Sequence, residues 1–331
     1  MTQPRVVMSF DEATALIASG RTLMVAADET LLRALPRGNW VGGTIPYFIG
    51  QEGGETTRDK LYVSEVLPRG AAHRIVRYNV DTLPQVCVDG PEHGYTLIIL
   101  PGFSAAHVAY AKDAPDYEDM FIKPIVGWVS GFHLDDFGSA SAKVVDGSTG
   151  TFSDADAVVM HVNLPPSLHA QIQILNIFEP GNGDVIEFPQ GGFNVSRCAV
   201  NGRAQSFVDY VTAHKIDTRL PLMADYSGAY VNVCLKSVNA DSDTVDFYGP
   251  IFEGVSYRFA RPVTDYVDQF GALMPTLAAE EIGFSCNCVL NYLYLELEGK
   301  RTGQMTGPAT FGEIAYQLVN QTMVYMTISA P

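Results

Sequence analysis

Two textures of apolar and polar positions run along this chain. In the first, Ser9 followed three residues later by Glu12 has the spacing of a capping box. Phe10, Ala13 and Ile17 share one helical face, and Gly20 suits the left-handed residue that closes a helix. Residues 22–27 are then continuously apolar, as in a strand buried on both faces. Asp28 can cap a short helix that Pro36 stops, and residues 40–45 return as a second strand. Strand, short helix and strand in so little chain predict a parallel crossover unit. The layout recurs as a strand over 95–100, a helix over 104–112 and a strand over 122–126. This last runs into the turn Gly127-Trp128-Val129-Ser130-Gly131.

From residue 144 the texture changes to short strands separated by turn clusters, at 158–162, 172–178 and 185–188. Glu179-Pro180-Gly181-Asn182-Gly183 and Pro189-Gln190-Gly191-Gly192 are the strongest punctuation. A boundary there gives two halves, 1–180 and 181–331. In the second half, 194–200 reads as a strand and 204–215 as a helix. Segments 230–236, 245–248 and 255–259 alternate like antiparallel strands. Residues 263–280 read as a helix, 282–286 and 323–328 as strands. The expected class is α/β in the mixed α+β sense, each half a mixed sheet packed by helices.

Composition narrows the function classes. The 331 residues are 47% hydrophobic and 18% charged, enough for a large core. The 21 Lys and Arg stand against 37 Asp and Glu, a net charge of −16 that repels phosphate backbones and anionic bilayers. Neither nucleic acid nor a membrane is an expected partner. No apolar run approaches the roughly 20 residues of a spanning helix, and Asp11 and Glu12 interrupt any leader-like stretch. Five cysteines, an odd number, point to reduced thiols and a cytoplasmic location.

Several segments in order resemble the FIST domain pair, a sensory region of bacterial signalling proteins that also occurs in an F-box context. Val41-Gly42-Gly43-Thr44 resembles its Gly-Cys-Ser-Thr turn, with Gly43 where Cys is usual. The run 126–131 followed by Asp135-Asp136 resembles its glycine-rich turn. Residues 200–204 leading into Val208-Asp209-Tyr210 resemble the strand, turn and helix that open its C-terminal half. Gly249-Pro250-Ile251-Phe252-Glu253-Gly254, Phe284-Ser285-Cys286, and Gly312-Glu313-Ile314 with Asn320-Gln321-Thr322 complete the likeness over residues 22–328. Val319 stands where many members have His, and the Arg that commonly follows Phe-Ser-Cys is absent. The resemblance implies a non-enzymatic sensor of a small molecule, such as an amino acid, bound between the halves and signalling to a separate partner protein. No fused output domain is expected.

The ligand residues expected on this basis are Gly42, Gly43, Thr44, Gly127, Ser130, Cys286, Glu313, Asn320, Gln321 and Thr322. The glycines would lie on one wall, letting backbone amides approach the ligand at the carboxyl ends of two strands. Glu313 with Asn320, Gln321 and Thr322 would lie on the other, as acceptors and donors for an amine and a carboxylate. The plain alternative is tight turns for the glycines and backbone satisfaction for the rest.

A serine hydrolase is the rival enzyme. Gly102-Phe103-Ser104-Ala105-Ala106 has the context of a nucleophile elbow, but no histidine follows His214, and Ser104 as a helix cap explains the same residues. A scaffolding subunit without a ligand cleft is a third reading. Cys286 and Cys288 lack a second pair, so no zinc site is expected; the acidic runs 113–119 and 241–246 lack the calcium-loop pattern. No cofactor is expected. Some FIST-like proteins bind haem, but Val319 removes the usual histidine position, and His161 and His169, flanking Pro165-Pro166, read as surface residues. His107, on a predicted helix, is the nearest alternative axial ligand.

Overall fold

The computed structural model describes residues 5–68, 71–226, 229–273, 277 and 281–330. The fold is mixed α+β, and the chain divides into two compact units. The first comprises residues 1–175, 270–318 and 323–331; the second comprises 176–269 and 319–322. The chain passes from the first unit to the second after Leu175, near the 180/181 division read from the sequence, and returns after Gln269. The cause is long-range pairing. His169–Leu175 pairs antiparallel with Met323–Ser329, which pairs in turn with Ile282–Cys288. Gly307–Thr310 joins that strand in parallel and Tyr47–Gly50 in antiparallel sense, so the C-terminal strands complete a sheet begun near the N-terminus.

Both crossover units form, the second with its closing strand at Ile125–Ser130 rather than over 122–126. Leu23–Ala27 and Trp40–Thr44 are parallel neighbours joined through the helix Glu29–Ala34. Gly94–Pro101 and Ile125–Ser130 are parallel neighbours joined through Ala105–Asp113. The likeness extends beyond the crossovers. One six-stranded sheet has the order Arg5–Met8, Leu61–Glu65, Leu23–Ala27, Trp40–Thr44, Val144–Asp146, Thr151–Ser153. Another has Ala72–Tyr78, Ala157–Asn163, Gly94–Pro101, Ile125–Ser130, Glu313–Ala315, Gln317–Val319. In both, the parallel pair is flanked by antiparallel strands in the same relative order, so one topology occurs twice.

Gly42 and Gly43 lie inside the expected strand rather than in a tight turn, and the expected turn over 127–131 is strand up to Ser130, with Gly131 just past it. None of Gly42, Gly43, Gly127 and Gly131 has a positive φ. Close packing explains them. A Cβ on Gly43 would lie 2.8 Å from the Trp128 ring and 3.0 Å from Ile99 and Ser130, all on the other sheet. A Cβ on Gly42 would meet the Val25 carbonyl, and one on Gly131 would enter the Phe311 ring. Trp128 donates its indole N–H to the Met24 sulfur at 3.2 Å. The two sheets therefore meet face to face over a glycine.

The helix Phe10–Ala18 carries the expected capping box between Ser9 and Glu12, and Gly20 has a φ of 77°. In the second unit every strand pair among the described residues is antiparallel; the parallel pair of the C-terminal half, Ile282–Cys288 with Gly307–Thr310, belongs to the first unit and makes the sheet there mixed, as expected. Its core gathers Phe188, Phe207, Phe247 and Tyr257 in ring contact, with Phe207 opening the helix Phe207–Ala213. The segment read as a helix over 263–280 contains Tyr266–Leu273; residues 274–276 and 278–280 lie outside the described residues. No helix among the described residues is long and apolar enough to cross a membrane.

Candidate functional site

A parallel strand pair delivers its backbone dipoles and its connecting loops to one edge, which is where open α/β sheets bind ligands. In the first unit that edge carries a cleft of about 430 Å³. Each parallel strand of the first crossover ends in it: Asp28 follows Leu23–Ala27, and Thr44, Ile45 and Pro46 end Trp40–Thr44. The other sheet contributes the segment after Ile125–Ser130, namely Phe132, His133 and Asp136. Arg33, Glu29, Thr30 and Arg58 complete the polar lining.

Thr44 ties the two sheets at the cleft floor. Its hydroxyl donates to the Gly131 carbonyl at 2.6 Å, and the Gly131 amide donates to the Thr44 carbonyl at 2.7 Å. The same hydroxyl accepts from the Lys143 amide at 2.9 Å. Both charge signs line the walls. Arg58 pairs with Asp136 at 2.9 Å. That bond, with Asp28 and Asp135 nearby, holds the guanidinium above its ordinary value despite some burial. Burial works to raise the Glu29 carboxyl, but hydrogen bonds and charge from Lys143 and Arg33, each at 2.6 Å, outweigh it and lower the group. Asp28 accepts from the Thr30 amide through Oδ1 and so caps its helix, and no hydrogen bond reaches its Oδ2 among the described residues. His133 stacks on Tyr47 with ring centroids 5.5 Å apart, and its Nδ1 accepts from the Asp135 amide at 3.2 Å.

Of the residues singled out in the sequence, Thr44 lines this cleft, and Gly42, Gly43 and Ser130 are buried behind it. The Ser130 hydroxyl is wholly buried and has no hydrogen-bond partner among the described residues. Glu313, Cys286 and Gly127 come together elsewhere in the core. The Cys286 thiol approaches the Gly127 carbonyl at 3.6 Å; burial first, then the Glu313 carboxylate, push it well above the usual thiol range. Glu313 pairs in register with Trp128, so it belongs to the same sheet as Gly127 and not to an opposing wall. That corrects the expected arrangement.

Asn320, Gln321 and Thr322 belong to the second unit and are buried there. Gln321 donates to the Arg219 carbonyl at 2.9 Å and accepts from the Cys234 thiol at 3.0 Å. Asn320 donates to the Val319 carbonyl, and its own carbonyl accepts from Asn232, both at 3.1 Å.

Ser104 is a helix cap. Its hydroxyl donates to the Pro101 carbonyl at 2.7 Å and accepts from the His107 amide at 3.1 Å. The residue lifted to positive φ at this turn is Phe103, at 65°. His107 spends Nδ1 on the Phe103 amide at 3.1 Å and offers Ser104 no base. His161 is wholly buried on Ala157–Asn163, not at the surface, with Tyr78 at 3.0 Å on Nε2 and Thr96 at 2.9 Å on Nδ1. His169 is exposed. All five cysteines are buried, and none is in a disulfide among the described residues. Among the described residues no group of three His, Cys, Asp or Glu has metal-binding proximity.

Sequence reasoning missed Arg58, Phe132 and His133 as cleft residues, and read Asp28 only as a cap. The legible signal was position, since Asp28 and the segment after Ser130 directly follow parallel strand ends. Arg58, on the loop after Gly53–Thr56, carries no such signal.

Fold and cleft together define an α+β protein whose first unit pairs two crossover sheets around a polar, mixed-charge pocket. The chain belongs to the family of unknown function DUF6976, which matches residues 8–329. No curated protein matches it.

Proposed function

We propose that this protein binds a small zwitterionic metabolite of amino-acid type without transforming it, in the cleft at the carboxyl ends of the first unit's parallel strands. The observation that carries the reading is the pairing of opposite charges at that edge. The Arg58 guanidinium has donors beyond those used on Asp136 and can take a carboxylate. The Asp28 carboxylate, whose Oδ2 no hydrogen bond reaches among the described residues, can take an amine. The volume suits one small molecule. The resemblance to FIST domains points the same way, towards a sensor that reports to a separate signalling partner. Five buried, unbridged thiols fit a reducing compartment and so a cytoplasmic protein.

The test is a thermal-shift screen of the intact protein against free amino acids, followed by calorimetry on the best binder. A ligand should raise the melting temperature. Arg58→Ala and Asp28→Asn should each weaken its binding by about tenfold or more. Asn retains the cap at position 28, and the Arg58 side chain is 45% exposed, so neither change should unfold the protein. An absence of any shift across the screen would end the reading.

A further inference from the structure

Beside the charged cleft lies an aromatic cluster that the charges do not explain. Phe132 lines the cleft and is in ring contact with Phe103 at 6.2 Å, Phe137 at 6.0 Å and Phe311 at 5.3 Å. Phe132 is nearly buried, yet Phe103 is 43% and Phe137 60% exposed. Phe137 directly follows Asp136, the partner of Arg58. Two large apolar rings are thus held open to water next to a polar pocket, an arrangement that marks a binding surface.

The repeated topology sharpens the point. In the first crossover the strand ends at Ala27 and the cap Asp28 follows at once. In the second, the strand ends at Pro101 and two extra residues, Gly102 and Phe103, precede the cap Ser104. The added Phe103 takes a φ of 65°, a conformation unfavourable for a bulky side chain. The strained, exposed residue is aromatic at the equivalent edge where the first crossover is acidic.

Resting on the reading of the cleft above, we infer that the ligand has an apolar, aromatic-sized body as well as a charged head. The head lies between Arg58 and Asp28, and the body lies against Phe132 and the rings of Phe103 and Phe137.

The experiment compares two probes that share a head, L-alanine and L-phenylalanine, by calorimetry on the intact protein. Phenylalanine should bind at least tenfold more tightly. Phe137→Ala and Phe103→Gly should each cut that preference to about threefold or less while leaving alanine's affinity in place. Glycine is at ease at positive φ, so Phe103→Gly should keep or raise the melting temperature, which separates a ligand role from a packing role. Equal affinities for the two probes, or a preference unchanged in both variants, would overturn the inference while leaving amino-acid binding intact. Failure of every amino acid to bind the unmodified protein would instead remove the underlying reading, and this inference with it.

Discussion

Thr44 and Gly131, 87 positions apart in the sequence, hold each other by two reciprocal hydrogen bonds at the edge where both crossover sheets end. The bonds join the last residue of one parallel strand to the residue just past another, and the cleft opens over them. Thr44→Val keeps the shape but leaves the Gly131 carbonyl and the Lys143 amide without their hydroxyl partner in a buried place. Urea denaturation should show a loss of about 2–3 kcal/mol, and Thr44→Ser should recover most of it.

Gly43 gives a second test of how the sheets meet. Its added methyl would lie 2.8 Å from the Trp128 ring, in a core with no slack. Gly43→Ala should cost about 1–3 kcal/mol. Combined with Trp128→Phe, which shortens the facing ring, the penalty should shrink; a double-mutant cycle with no coupling would contradict the face-to-face packing.

How much of this was legible differs between local and distant features. Both crossover units could be read because a continuous apolar run, a cap and a stop are local signals, as at Asp28 and Pro36. The glycines of those units were legible as positions but not as causes. Gly43 and Gly131 are small because Trp128 and Phe311 lie over them, and nothing near them in sequence announces those rings. The same limit hid the return of Met323–Ser329 to the first unit through His169–Leu175. Residues 230–236 read as one strand because a single alternating pattern runs through them; the structure breaks it at Cys234 into Ala229–Val233 and Leu235–Asn239. Polar residues in the core were the hardest. His161, flanked by turn signals, reads as surface until Tyr78 and Thr96 are seen to satisfy both its nitrogens.

That histidine makes stability depend on pH. Burial, and then the charge of Arg74, lower it from 6.5 to about 4 in the folded protein. Burial lowers His107 to about 4 as well. Between the two values the unfolded chain binds protons that the folded one refuses, so stability is full above about pH 6.5 and falls as pH drops towards 4. The loss is on the order of 3 kcal/mol for His161 alone. His161→Gln should flatten the slope of stability against pH in that window by about one proton, read from denaturation curves at several pH values. An unchanged slope would mean that His161 charges freely in the folded state.

Ser104 separates the hydrolase reading from the binding one. With its hydroxyl donating to Pro101 and accepting from His107, it should not label with a fluorophosphonate probe. Ser104→Ala should lower stability by about 1 kcal/mol through the lost cap and leave ligand binding as it was. Stoichiometric labelling abolished by the same substitution would establish an enzyme.

The central claim is the place of the ligand, and a crystal structure with the tightest-binding amino acid tests it most directly. The account predicts the ligand in the first unit's cleft, its carboxylate on Arg58, its amine on Asp28 and its body against Phe132. A ligand bound instead against Asn320, Gln321 and Thr322, with the cleft empty, would contradict it.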